Sequence, residues 1–384
     1  MKLAKSIGRL GTETAFEVLA KAKKLEAQGK DIVHLEIGEP DFETPNHIKE
    51  AAKKALDDNF THYVPSPGLM DVREIIAEHQ SKVHNKNVSP ESVIFTPGAK
   101  PIMFFTIMAL IEPGDEVIYP NPGFPIYESM INYVGGKAVP MELKEEKEFN
   151  ADVDAIEQSI TKNTKLIILN SPNNPCGSVM DPSDIKRVAN IAKEKDITIL
   201  TDEVYKDLYF EGSHNSVYDY DGMEENVVIL DGFSKTYAMT GWRLGYGIFP
   251  NKLVEPISRL VTNSVSCTSA FSQKAAAAAI QGPQDSVKMM LEEFKIRSKI
   301  VVDGFNDIKG VSCIQPKGAF YAFPNIKETG YKSQELSDAL LNQGVAVLPG
   351  TSFGKFGEGY LRISFANSRE NLKKALDIIK QFLD

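Results

Sequence analysis

The sequence predicts an α/β protein, with a large domain built on a mostly parallel mixed sheet between helices and a smaller α+β domain. Three observations carry this expectation. Short apolar runs alternate with amphipathic, charged segments through the middle of the chain. After Gly282-Pro283 the pattern changes to shorter strands around one long charged helix. The chain has 384 residues, more than one ordinary hydrophobic core holds, so two domains are expected.

The elements follow in order. A helix near 15–28 is expected to pack with the smaller domain. The apolar run 93–95 reads as a strand leading through Thr96-Pro97-Gly98-Ala99-Lys100 into a helix over 103–110. Further strands are expected at 116–119, 165–169, 197–200, 227–230 and 246–249. A helix over 182–195 is opened by Asp181 as cap, and the small-residue run 275–280 reads as a close-packed helix. A long helix from 285 past 299 then precedes strands at 311–314, 320–323, 345–348 and 361–365. The expected division is a large domain over 46–282 and a small domain from 1–45 with 283–384.

Composition narrows the function classes. A formal net charge of −9 argues against a nucleic-acid surface as the main function. No run reaches membrane-spanning length, and Met1–Arg9 lacks an apolar signal core. Cys176, Cys267 and Cys313 are few and far apart, as in reduced thiols of a cytoplasmic protein, and none has a metal-type partner at close spacing.

Ligands of open α/β sheets bind beyond the carboxyl ends of the strands, so the residues closing each apolar run are site candidates. Lys235 stands just after the 227–230 run, and Arg243 follows eight residues later among small residues and glycines. A lysine at a strand end can form a Schiff base with an aldehyde, and an arginine's fork of donors can hold a phosphate. An aldehyde and a phosphate on one small molecule describe pyridoxal phosphate. Gly98, Ala99 and Lys100 join a strand to a helix, where exposed amides can cradle a phosphate. Asn174, in Ser171-Pro172-Asn173-Asn174-Pro175, can donate to a phenolate oxygen, or make an Asx turn. Asp202 follows a fully apolar strand, where a carboxylate is costly to bury without a cation such as a protonated pyridine nitrogen; otherwise it caps the next helix. Tyr205 reaches the same place if a helical turn starts there. Phe124 can stack on a ring face or fill the core. Arg362 lies inside the 361–365 run and needs an anion, either a substrate carboxylate or a structural partner. Gly38, in Ile37-Gly38-Glu39-Pro40-Asp41-Phe42, allows backbone to approach a ligand closely, or simply turns the chain. Each signal is weak alone. In order along the chain they meet every polar feature of the cofactor.

With these residues in place the sequence resembles the class I aminotransferases of the fold-type-I pyridoxal-phosphate enzymes, in a pattern shared with prokaryotic aspartate aminotransferases. The similarity runs from Gly38-Glu39-Pro40-Asp41-Phe42 to Arg362-Ile363-Ser364. The resemblance implies that Lys235 is the Schiff-base lysine and moves the substrate α-proton, and that Asp202 pairs the ring nitrogen. It implies that Asn174 and Tyr205 bind the ring oxygen, and that Arg243 with the amides of Gly98, Ala99 and Lys100 holds the phosphate. Tyr63 would reach the phosphate of the partner subunit in a homodimer with shared active sites. Arg362 would clamp the substrate α-carboxylate, with Gly38, Phe124 and Asn174 along the substrate. Lys100 would contact a distal carboxylate, which favours aspartate or glutamate as amino donor and 2-oxoglutarate as acceptor. Glu13 lies in the segment that covers the substrate side chain in this subgroup, where an acid would repel a dicarboxylate or attract a cationic side chain. Two positions depart from the family pattern: Gly232 replaces a hydroxyl residue three places before the lysine, and Phe124 replaces the more usual tryptophan or tyrosine. Alanine or aromatic donors, or a lyase or synthase reaction on the same fold, remain open. A regulator fused to a DNA-binding module does not fit, because the fold begins almost at residue 1.

Overall fold

In the computed structural model residues 1–212 and 214–384 are described. The strands before the long helix are β1 (Val33–His34), β2 (Val93–Thr96), β3 (Glu116–Asn121), β4 (Lys137–Glu142), β5 (Thr164–Asn170), β6 (Thr198–Asp202), β7 (Val227–Gly232) and β8 (Gly245–Ile248). Seven of them form one sheet in the order β2-β8-β7-β6-β5-β3-β4. Its strands are parallel except β8, which runs antiparallel to both neighbours. The mostly parallel mixed sheet expected from the apolar runs is therefore present.

Strand residues point alternately to opposite faces, and both faces of this sheet are covered. Val228 and Leu230 of β7 pack with the helices Lys100–Leu110, Ile126–Val134 and Asn251–Val265. Val227 and Ile229 pack on the other side with Asn46–Asp57, Met70–His84, Pro182–Glu194 and Ala270–Gln281. This two-sided burial is why the strands read as unbroken apolar runs. β4 is the exception. It is an edge strand, mostly half-buried, with Pro140 inside it, so it lacks the apolar signature.

The smaller unit contains β9 (Tyr321–Ala322), β10 (Val345–Ala346), β11 (Leu348–Pro349) and β12 (Leu361–Ser364). An antiparallel sheet β11-β12-β9 and a parallel β1-β10 pair pack with the helices Asp285–Asn306, Ser333–Asn342 and Arg369–Leu383. The strand expected at 311–314 reduces to one bridge between Ser312 and Asn325. The side chain of Asn306 takes both backbone groups of Cys313, accepting from its N–H at 2.8 Å and donating to its carbonyl at 3.1 Å. The single strand expected at 345–348 divides into β10 and β11 around Val347, whose carbonyl accepts from Ser337 Oγ. Asp181 stands at the N-cap of Pro182–Glu194 but its side chain makes no capping bond. The first helix, Thr14–Glu26, lies against β10 and β11.

Asp231, near the end of β7, is buried and points away from the site face. It pairs with the buried Lys206 and accepts from Tyr246 Oη at 2.5 Å. Burial opposes charge on Lys206, yet Asp207 and Asp231 hold its pKa well above the usual lysine value. Removing one member of such a pair leaves an uncompensated buried charge, which typically costs roughly 3–5 kcal/mol. We expect Lys206→Met to lower the free energy of unfolding by about 3 kcal/mol in urea titrations.

Candidate active site

The parallel strands end level with one another. Asn170 pairs in register with Asp202, and Asp202 with Leu230. A cavity of ≈ 580 Å³ opens beyond these ends. Its walls include Gly38, Ala99, Lys100, Phe124, Asn174, Asp202, Tyr205, Lys235, Arg243 and Arg362. Residues separated by more than 300 positions thus meet where strand-end reasoning expects them. Gly98 lies immediately behind this wall, against Arg243. Tyr63 is not on it; its side chain stands in solvent at 89% exposure.

Lys235 follows β7 and its amine donates to Gly38 O at 2.5 Å. Burial pushes its pKa down to about 8; Arg362 and Arg243 add to this, and Glu39 and Glu13 oppose it. The amine is therefore closer to its free-base form at neutral pH than a surface lysine. An added Cβ at Gly38 would lie 2.1 Å from Tyr321 Oη, so any larger residue there would push that ring aside.

Asp202 is buried and does not cap a helix; a single turn follows it. Its Oδ2 accepts from Tyr127 Oη at 2.5 Å and its Oδ1 from the Val204 amide at 3.3 Å. Burial raises its pKa to about 6, helped by the charges of Asp231 and Glu203, while the two donors oppose the rise. A cation at this carboxylate would complete it. The turn brings in Tyr205, whose hydroxyl lies 2.9 Å from that of Tyr321.

Arg243 adopts a left-handed conformation at φ 52° and donates from Nη1 to Thr240 O at 2.8 Å. Gly98, at φ +85°, lets its backbone lie against this guanidinium; an added Cβ would fall 2.2 Å from Nη2. Ala99 is the N-cap of the Lys100–Leu110 helix, and no side chain caps that end. Pro101 has no N–H and the Ile102 amide donates to Ala99 O at 3.0 Å, so the amides placed to meet an anion beside the arginine are those of Ala99 and Lys100.

Arg362 is buried, with its guanidinium 4.6 Å from the Tyr321 ring centre and 5.0 Å from that of Phe353. It donates to Glu36 O and, from Nη1, to Asn174 Oδ1 at 3.4 Å. Its Nε is buried without a hydrogen-bond partner. Burial pulls its pKa down, and among the described residues no carboxylate pairs with it. The structural ion pair that sequence reasoning left open is therefore absent among the described residues, and a bound anion remains the matching partner. At the cavity mouth Lys100 pairs with Glu13, and Thr240 bonds Glu39.

Sequence reasoning missed Tyr127, Tyr321 and Glu39. Both tyrosines sit in apolar surroundings, and a buried hydroxyl signals that a partner exists. That signal does not say which partner, since Asp202 and Tyr205 are distant in the chain. Glu39 stood inside a quoted motif, but only its place by Lys235 and Thr240 gives it a role.

The donor set fits pyridoxal phosphate: a lysine amine of depressed pKa, a buried carboxylate open to a cation, an amide cradle beside an arginine, and an asparagine with a tyrosine between them. Residues 30–379 match the family described as aminotransferase class I and II. The chain is 42% identical over 359 residues to the aspartate aminotransferase of Pyrococcus abyssi, covering 92% of each chain. It is 40% identical to aromatic-amino-acid aminotransferase 2 of Thermococcus litoralis, covering 93% of each. Its structure matches that of Thermus thermophilus aspartate aminotransferase with maleate at a TM-score of 0.96, with 34% identity over 99% of both chains.

Alanine at position 98 would have to hold a positive φ and displace the Arg243 guanidinium. We expect Gly98→Ala to weaken binding of pyridoxal phosphate to the apoprotein by at least about tenfold, read by absorbance titration.

Proposed function

The chain belongs to the class I and II aminotransferases, and from that premise we propose that it moves an amino group from L-aspartate to a 2-oxo acid such as 2-oxoglutarate. Enzymes of this family use pyridoxal phosphate, and this protein is a pyridoxal-phosphate-dependent aminotransferase with a fold-type-I architecture. When bound, the cofactor carries the amino group between the two substrates and draws off the electrons left at the substrate α-carbon.

The chain's own groups then have these roles. Lys235 would anchor the cofactor covalently and, once released, would take the proton from the substrate α-carbon and return it at the cofactor's former aldehyde carbon. Its pKa of about 8 suits both directions. Asp202 holds a proton at the ring nitrogen, and Tyr127 keeps that carboxylate oriented. Asn174 and Tyr205 hold the ring oxygen, with Tyr205 fixed by Tyr321. Arg243 and the amides of Gly98, Ala99 and Lys100 hold the phosphate, and Phe124 covers one ring face. Arg362 grips the α-carboxylate, next to Gly38. The buried guanidinium of Arg362, with no carboxylate partner among the described residues, is the observation that most supports an amino-acid substrate.

Lys100 supports a dicarboxylate, because its ammonium lines the same cavity as the Arg362 guanidinium. Maleate, a dicarboxylate, in the Thermus structure points the same way. Glu13 beside Lys100 favours a second reading, a neutral donor such as alanine or an aromatic amino acid. The exposed Tyr63 supports a homodimer in which this residue enters the partner's site. The three free cysteines support a cytoplasmic location; among the described residues no helix is long and apolar enough to cross a membrane.

The test is a panel of half-reactions. Each amino acid alone is added to cofactor-loaded protein, and conversion of the cofactor from its aldehyde to its amine form is followed by absorbance. Rapid conversion by aspartate and glutamate is expected. Conversion only by other donors would discard the aspartate reading, and conversion by none would favour a lyase or synthase. Lys235→Ala is expected to cut turnover by more than about 10⁴-fold. Tyr127→Phe removes a donor to the ionised Asp202 carboxylate, so the carboxylate pKa rises. The acid limb of the kcat/KM profile should move to higher pH by about one unit, with the basic limb unmoved.

A further inference from the structure

The two halves of a transamination bring two different side chains to one cavity, so a polar group on its wall meets both. Lys100 and Glu13 stand there as an ion pair. Lys100 begins the Lys100–Leu110 helix, its ammonium 5.4 Å from the Phe124 ring centre. Glu13 comes from the N-terminal segment, just before Thr14–Glu26. That segment is fastened to the Ile126–Val134 helix. Arg9 donates to Asn132 O at 2.7 Å and to Tyr133 O at 2.8 Å, and the Gly11 amide donates to Ser129 Oγ at 2.8 Å.

Glu13 occupies the N-cap position of Thr14–Glu26, where short polar side chains are favoured because they reach back to the first amides. Its carboxylate makes no capping bond and crosses the cavity to Lys100. Local helix chemistry does not account for a glutamate here, and the pairing does.

We propose that Glu13 stands in for the distal carboxylate of a substrate. It neutralises Lys100 while a neutral side chain is bound, and it gives up Lys100 when a dicarboxylate enters. The proposal rests on the aminotransferase reading above and names its substrate range. With the pair closed, Phe16, Phe124 and Phe353 offer apolar surface to a neutral side chain, and the Lys100 ammonium is neutralised by Glu13. With the pair open, one carboxylate replaces another on the same ammonium, so the net charge at Lys100 is unchanged. Glu13, whose side chain is 18% exposed beside a Lys100 side chain 42% exposed, then turns to water. The site takes both classes, and dicarboxylates bind against an internal competitor.

The test uses holoenzymes of the wild type, Glu13→Gln, Lys100→Met and the double variant. Succinate and butyrate binding are measured by calorimetry, and half-reaction kcat/KM for aspartate and alanine by absorbance. Releasing Lys100 from a partly exposed pair is expected to raise succinate affinity, and the aspartate-to-alanine ratio, by about fivefold. Butyrate, without a distal carboxylate, should not share the gain. In the Lys100→Met background the gain from Glu13→Gln should vanish. Equal changes for succinate and butyrate, a loss of succinate binding in Glu13→Gln, or a gain that survives without Lys100 would each overturn the proposal. Succinate binding reads the pair whether or not aspartate is the donor. Absent coupling with aspartate converted overturns this inference alone, and intact coupling with aspartate unconverted overturns only the choice of donor.

Discussion

A carboxylate, an ammonium and a guanidinium share one cavity here without neutralising one another, and the architecture depends on keeping them apart. Asp202, Lys235 and Arg362 would gain most by pairing directly. Each is instead tied to something that leaves its charge available. Asp202 is bonded to a phenol and an amide. Lys235 donates to a backbone carbonyl. Arg362 is packed between two aromatic rings. Such groups raise the free energy of the empty site, and a ligand carrying the complementary charges recovers it. The neighbouring residues behave in the opposite way. Glu203, one residue after Asp202, is just as buried, yet the charge and hydrogen bond of His214 overcome burial and hold its pKa at about 2. Asp231, one residue before Gly232, is matched by Lys206. Two adjacent carboxylates on one strand end are thus driven to about 6 and about 2 by their surroundings. Satisfied pairs fix the strand ends, and unsatisfied groups beside them face the ligand.

The sequence made the reactive side of this arrangement legible because parallel strands write themselves plainly. β5, β6 and β7 are buried on both faces, so they appear as apolar runs, and polar residues that close a run or follow it within a few positions, Asn170 and Asn174, Asp202 and Lys235, line the cavity, while Asp231 does not. Lys235, Asp202 and Asn174 could be found this way without any knowledge of what they touch. The partners that tune them could not. Tyr127 and Tyr321 reach Asp202 and Tyr205 across 75 and 116 positions, and only folding brings them together. In the smaller unit the strands are two to four residues long. Side chains such as Asn306 and Ser337 compete for the backbone there, so apolar runs such as 311–314 overstate the sheet. The edge strand β4 failed for the reverse reason, being a true strand without an apolar face pair.

The cavity walls divide by origin, and the division bears on how substrate range can change while chemistry persists. The groups proposed to hold the cofactor stand on strand ends and the turns just after them, where register and two-sided packing leave little freedom. Moving any of them would disturb the sheet as well as the reaction. The groups proposed to meet the far end of the substrate stand on an N-terminal segment held by a few surface hydrogen bonds and on the first residue of a helix. A change at Glu13 alters the charge met by the substrate side chain and touches no strand. Relatives of similar identity to this chain carry names of acidic and of aromatic donors, as expected where the reacting groups are built into the sheet and the selecting groups are laid over it. In this chain the selecting wall holds both a cation and its own anion. On the proposal above, its preference would be set by how readily that pair opens, a difference between two nearly equal contacts, and a small change in either residue would be enough to shift it.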